Sequence, residues 1–347
     1  TGTGKVKFPR RTIVTTDGDI RGGPLDDMLE KSLNILSGEV PDNGTLPFIC
    51  RLDDEEEVHD KSNWTKPNPS LPFLPDLQQE MELEYSDYLQ NPTANQSFMV
   101  KRMNRPPKQP EGAVTTWDNI KLTNQPIDEA AINGAYCVGG IDYMKTTDFL
   151  GAGLLFRVNG FDYWISHTWI CAKSPDLKRI KPPLREWESL GICTFVDAAE
   201  IPPELPCIWL ENEARKRNSQ ILKIGIDSYR YQLLRKALMS INFSADKGFD
   251  NVKLIRPSDE MLRIPTITSG FANHRFIWGD SPMMRWCCQN TKISTSAHGN
   301  MTYEKIEPKA RKTDTFKAFV AAECVSDILD AYQTPVNKLA DLGVFVY

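Results

Sequence analysis

The sequence predicts an α/β protein built on a mixed sheet flanked by helices, and three observations lead there. Three strand-like runs, 135–142 (AYCVGGID), 151–158 (GAGLLFRV) and 161–171 (FDYWISHTWIC), follow one another with short connections. The last two are joined by Asn159-Gly160, the dipeptide that most strongly marks a two-residue hairpin. Downstream, strand runs at 221–227 (ILKIGID) and 252–255 alternate with helical stretches, the pattern of parallel pairing through crossover helices. An antiparallel opening with a strand–helix continuation describes a mixed sheet, not a doubly wound parallel one.

The elements before this sheet are sparser. Residues 7–16 (KFPRRTIVTT) read as a strand, because every residue from Thr12 to Thr16 is β-branched. Pro24 to Leu36 places apolar residues at Leu25, Met28, Leu29, Leu33 and Leu36, the spacing of an amphipathic helix with proline in its first turn. The stretch 64–74 (WTKPNPSLPFL) is too rich in proline for regular structure. Helices are expected over 76–89 and 97–103. A proline-rich linker follows at 105–112 (RPPKQPEG), and residues up to 133 bridge to the sheet. Beyond it, helices are expected at 184–190, 207–217, 229–241, 282–289 and 314–329, with a short strand at 193–196.

Composition bounds the class. The 347 residues are 40% hydrophobic with eight tryptophans, enough apolar material for a sizeable core and for two domains. No run approaches the roughly 20 apolar residues of a membrane span, so no membrane contact is expected. The eight cysteines form no CxxC pair, which fits scattered thiols better than a zinc site or a disulfide framework. A net charge of −5 speaks against coating nucleic acid by charge alone. It leaves room for an enzyme that meets DNA through a local basic groove.

Three aspartates occupy costly places. Asp142 and Asp227 end the first and fourth strands after mostly apolar residues, and Asp314 opens the last long helix after the basic run 309–312 (KARK). A carboxylate at the end of a buried strand needs compensation, and a divalent cation supplies it. Magnesium favours dispersed carboxylate oxygens and keeps several waters. Each residue alone has an ordinary explanation, Asp314 as a helix cap for instance. Together they lie where an RNase H-like sheet would bring them into one site. Asp148, six residues after Asp142, is placed to add a ligand or orient a metal-bound water. The GTGK at 2–5 is not a phosphate loop, since Lys5 is followed by Val6 and the framing glycine spacing is missing.

At this point the chain resembles the terminase large subunits of tailed phages. Residues 137–154 (CVGGIDYMKTTDFLGAGL) look like the opening nuclease strand of that family, and 298–322 (HGNMTYEKIEPKARKTDTFKAFVAA) like its closing Lys-x-Asp start to an alanine-rich helix. Residues 64–71 (WTKPNPSL) and 98–104 (FMVKRMN) resemble the family's Trp-x-x-x-Asn-Pro and Phe-x-x-x-x-x-Asn signatures, and 12–18 (TIVTTDG) its ATPase strand ending in a Thr-Thr coupling motif. One departure stands out: the family's last helix often begins Asp-Gly, and this chain has Asp314-Thr315.

The resemblance implies an RNase H-like nuclease over 134–347, a linker over 105–133, and over 1–104 the C-terminal part of a P-loop ATPase domain whose phosphate loop is absent from these residues. ATP would serve only the full-length motor. Asp142, Asp227 and Asp314 would hold two Mg²⁺ or Mn²⁺ ions about 4 Å apart, with Asp148 accessory and Thr15 and Thr16 as the coupling motif. Lys309, Arg311 and Lys312 would neutralise DNA phosphates without reading sequence. Implied partners are double-stranded DNA, the portal protein and the small terminase subunit, in the host cytoplasm and outside the mature virion. Two rival readings are a non-catalytic component docking on portal or procapsid, and another RNase H-like enzyme such as a resolvase.

Overall fold

The computed structural model describes residues 7, 10–17, 24–41, 44–92, 95–106, 112–144, 149–198, 200–296 and 299–332. The chain divides into two compact units, Thr1–Glu111 and Gly112–Tyr347.

The first unit contains α1 (Pro24–Ser37), α2 (Pro75–Gln90) and α3 (Ser97–Lys101), with three single turns of 3₁₀ helix between α1 and α2. The proline-rich stretch expected to be irregular takes up two of those turns, Lys61–Thr65 and Leu71–Phe73. The short i→i+3 repeat tolerates proline where a longer α-helix does not. Trp64 is the centre of this unit: its ring meets Tyr85 and Phe98 edge-on at 5.2 and 5.8 Å, and its Nε1 donates to the Val58 carbonyl at 2.9 Å. Asn68 Nδ2 donates to the Arg102 carbonyl and Asn104 Nδ2 to the Cys50 carbonyl, both at 2.8 Å. The residues that carry the two upstream sequence signatures therefore tie loops to a small aromatic core. The strand expected at 7–16 is not formed over its described residues: 10–17 pair with no described strand, and Thr15 and Thr16 are exposed. A β-branched run has strand propensity, but a strand needs a neighbour to bond to.

The second unit begins with α4 (Trp117–Leu122) and α5 (Glu129–Ile132) and continues through β1 (Tyr136–Asp142), β2 (Phe149–Val158) and β3 (Phe161–Cys171). Then come α6 (Leu184–Ser189), β4 (Cys193–Val196), α7 (Glu204–Lys216), β5 (Gln220–Asp227), α8 (Tyr231–Ser240) and β6 (Val252–Ile255). The remainder is α9 (Pro257–Ala272), β7 (Phe276–Ile277), α10 (Pro282–Gln289), the hairpin β8 (Thr291–Thr295) and β9 (Met301–Lys305), α11 (Asp314–Glu323) and α12 (Ile328–Ala331). The central sheet runs β4-β3-β2-β1-β5-β6, with β7 paired to β3. β1, β2 and β3 are antiparallel, whereas β5 and β6 extend β1 in parallel and β4 runs parallel to β3. Asn159 and Gly160 both take positive φ, 53° and 83°, as the two-residue turn between β2 and β3 requires.

Alternation along the strands sorts the two faces. Cys137, Ile141, Ile224 and Ile226 pack with α7 and α8, while Val138, Phe149, Leu155 and Trp164 pack with α9, α10 and α11. On that second face, Gly151, Gly140 and Gly225 lie in successive strands under α11. A methyl built on Gly140 would overlap the Ala318 carbonyl oxygen and lie 2.8 Å from the Ala322 amide nitrogen. One on Gly225 would overlap the Ala321 carbonyl, and one on Gly151 would stand 2.6 Å from the Thr315 Cα. Helix backbone thus rests directly on sheet backbone. Thr315 fills the space beside β3: its Oγ1 is 2.6 Å from the Thr168 Oγ1.

The far end of α11 is anchored by charge. Glu323 and Asp162 are fully buried. Arg157 bonds Asp162 through Nε and Nη2 at 2.7 and 3.2 Å, Arg275 Nε reaches the same carboxylate at 2.7 Å, and Ser326 Oγ donates to Glu323 Oε2 at 3.0 Å. Burial first, and the Asp162 charge second, push the Glu323 carboxyl up to about 7, against the pull of Arg157 and Arg275. A native carboxyl that holds its proton more tightly than the unfolded chain favours the fold below the ordinary glutamate range and loses that advantage as pH climbs. Stability is therefore expected to fall between about pH 4.5 and 7 from this group. Glu323→Gln should flatten that slope, which urea melts at pH 5 and pH 7.5 will read. An unchanged slope would remove Glu323 as its source. Among the described residues no helix is long and apolar enough to cross a membrane.

Candidate active site

The candidate site lies at the end of the sheet where β1 and β5 finish. Asp142 and Asp227 each follow the paired residues Ile141 and Ile226 of adjacent parallel strands, at a strand spacing of roughly 4.8 Å. Two residues beyond Gly140 and Gly225, both fall on the α11 face. Asp314 is the first residue of α11 and is buried. It arrives here because its backbone packs on Gly151, which pairs with Asp142 across β1 and β2. The glycines that let the helix lie flat are the reason two acids 172 positions apart in sequence meet.

Electrostatics register that meeting. Asp142 keeps an opening to solvent. Crowding by surrounding atoms, and then the Asp314 carboxylate, nevertheless push its carboxyl up to about 8, while Lys317 and Lys305 pull the other way. Lys305 Nζ, from the end of β9, stands 3.7 Å from Asp314 Oδ1. Lys317, one turn along α11 from Asp314, is ion-paired with Glu260 on α9, and Glu260 adds to the upward push on Asp142. Asp227 Oδ1 accepts from the Tyr229 backbone N–H at 2.7 Å, which fixes the carboxylate at the strand end. Four described carboxylates, Asp142, Asp227, Glu260 and Asp314, thus line this end of the sheet together with Lys305 and Lys317.

Among the described residues no three His, Cys, Asp or Glu side chains converge as a ready-made metal cage. The donor chemistry is nevertheless that of a hard divalent ion: carboxylate oxygens, two of them close enough to raise each other's affinity for a positive charge.

The other expected site residues fall in different places. Asp148 lies outside the described residues. Lys309 is exposed and Arg311 half-buried. Lys312, expected to touch DNA, is fully buried instead, with its Nζ 2.7 Å from Asp176 Oδ2 and 3.2 Å from the Pro308 carbonyl. A buried ammonium needs a partner, and the pairing with Asp176 takes this side chain away from solvent. Thr15 and Thr16 belong to the first unit, where both are exposed. Glu260, Lys305 and Lys317 were missed. The signal for Glu260 was present in Pro257 at a helix start, acids in the first turn and apolar residues at Ile264, Ile267 and Phe271, but Pro265 inside the run hides the helix.

Comparison with known proteins gives this geometry a context. Residues 39–188 match the family model described as terminase large subunit, endonuclease domain, a match that starts in the first unit and ends in the second. The chain is 25% identical over 323 residues to the terminase large subunit of Lactococcus phage p2, covering 90% of this chain and 57% of that protein's length. It therefore spans little more than half of that relative. It is 21% identical over 366 residues to protein YmfN of Escherichia coli K12, covering 99% of this chain and 76% of that protein. Among solved structures, the HK97 bacteriophage large terminase superposes with a TM-score of 0.53 at 14% identity, over 93% of this chain and 64% of that one. The fold is RNase H-like.

Proposed function

We propose, from the premise that the chain belongs to the phage terminase large-subunit family, that it is a metal-dependent endonuclease cutting concatemeric double-stranded DNA during genome packaging. The observation that supports this reading most is the approach of Asp314 to Asp142, with Asp227 ending the adjacent strand.

Asp142, Asp227 and Asp314 would hold Mg²⁺ or Mn²⁺, with Asp148 as an accessory ligand. A pair of such ions, once bound, would supply an activated water and charge stabilisation for the departing 3′ oxygen. The protein's own residues do the rest. The glycine-backed helix fixes the carboxylates, and Tyr229 N–H orients Asp227. Lys305 and Lys317 limit the repulsion among the acids until cations arrive. The same reading assigns residues 1–104 to the end of an ATPase domain with Thr15 and Thr16 as its coupling motif, 105–133 to a linker and 134–347 to the nuclease. It places the protein in the host cytoplasm, with the portal protein and small terminase subunit as partners of the complete motor and ATP as its fuel.

Incubation of supercoiled plasmid with the chain and Mn²⁺ tests the proposal. Nicked and linear products are expected, and EDTA should stop their formation. Intact plasmid in Mn²⁺, from a protein whose circular dichroism reports a folded chain, would instead leave a docking component without chemistry.

A further inference from the structure

The buried Lys312 has its ammonium engaged inside the protein. Its partner Asp176 is the second residue of the 3₁₀ turn Pro175–Arg179, which follows the end of β3. The Lys312 backbone is held as well, since Asn290 Nδ2 donates to its carbonyl at 3.1 Å. The pair thus fastens the segment after β3 to the segment before α11, 136 positions away in sequence. Both segments lie at the carboxylate end of the sheet: β3 approaches α11 through Thr168 and Thr315, and Lys312 is two residues from Asp314.

The fastening leaves an unbalanced surface. Residues 173–185 (KSPDLKRIKPPLR) contain five basic residues and one acid, and that acid is engaged by Lys312. Lys173 pairs with Asp197, and Arg185 pairs with Glu188 while its guanidinium lies 3.6 Å from the Phe195 ring centre. Lys178, Arg179 and Lys181 are exposed and form no salt bridge with a described residue. Lys309, across the link, is exposed too. On a chain of net charge −5, such a local excess of positive charge beside carboxylates suits one ligand class, the phosphate backbone of a nucleic acid.

We propose that Lys178, Arg179, Lys181 and Lys309 form the surface that holds the duplex DNA backbone against the carboxylates, and that the Lys312–Asp176 pair is the positioning link that assembles it. This rests on the nuclease reading and names the residues through which its substrate is held.

Fluorescence anisotropy of a labelled 30-base-pair duplex, in EDTA so that nothing is cut, tests the surface. The variant Lys178→Gln/Arg179→Gln/Lys181→Gln should bind roughly tenfold or more weakly. Its plot of log affinity against log salt should flatten by about 0.9 per contact removed. Lys236→Gln, on α8, should bind as the parent does. Lys312→Met, or Asp176→Asn should the first fail to fold, should weaken binding and also lower amide-exchange protection over residues 174–180. Weakened binding with unchanged protection there would make Lys312 a contact and overturn the positioning role. An unchanged affinity and salt slope in the triple variant, from a protein that nicks plasmid, would overturn the surface and leave the nuclease standing. Weakened binding in a protein that never nicks would retain the surface and remove the nuclease.

Discussion

Asp142→Asn is expected to stop DNA cutting while the protein stays folded. Asparagine keeps the shape of the side chain and removes its charge. A hard divalent ion loses an anionic oxygen and gains only an amide carbonyl. Outer partners of metal ligands already cost about 10–100-fold when removed, so loss of a direct ligand should exceed about 100-fold. The fold should not suffer. Crowding and the Asp314 charge already push the Asp142 carboxyl up to about 8, so a neutral side chain suits the site when no cation is present. The melting temperature without metal should match or exceed that of the parent. Mn²⁺ is expected to raise the parent's melting temperature by binding the native state, and that rise should shrink in the variant. Plasmid nicking at the parental rate, or an undiminished Mn²⁺ shift, would remove Asp142 from the site.

Gly140→Ala should strongly destabilise the second unit. Glycine to alanine in a compatible backbone normally stabilises by about 0.4–1 kcal/mol, and Gly140 has no positive φ to forbid the change. The added carbon, however, would overlap the Ala318 carbonyl oxygen and crowd the Ala322 amide. Overpacking costs about 1–3 kcal/mol where side chains can yield. Here the neighbours are helix backbone, and the cost should reach about 3 kcal/mol or more, a fall of about 6–12 °C in melting temperature. Gly139→Ala is the control, because its methyl would meet the Ile224 side chain at 3.1 Å, a neighbour able to turn aside. Equal melting temperatures for the two variants would show that α11 does not rest on the strand as described. Activity should fall with Gly140→Ala as well, since a displacement of about 1 Å at a catalytic group costs on the order of 100-fold.

The sheet was legible because its signals are local. The strand-like runs along 135–171 and the Asn159-Gly160 turn specify three antiparallel strands without knowledge of anything distant, and the observed strands are Tyr136–Asp142, Phe149–Val158 and Phe161–Cys171. Asp142 and Asp227 stood out as charges at the ends of apolar runs, and Asp314 as an acid opening a helix after a basic run. What escaped depends on long-range partners. Nothing near Lys312 in sequence announces that Asp176 will bury it. Nothing around Glu260 announces Lys317, and Pro265 disguises the helix that carries it. The run at 12–16 misleads for the same reason in reverse: its propensity is strong, and no described strand meets it.

The flat seating of α11 has one more consequence. The interval between Asp142 and Asp314 is gauged by peptide atoms, carbonyl against α-carbon, and not by the bulk of any side chain. On the reading that these acids hold a cation, the spacing left for it rests on three missing side chains, at 140, 151 and 225.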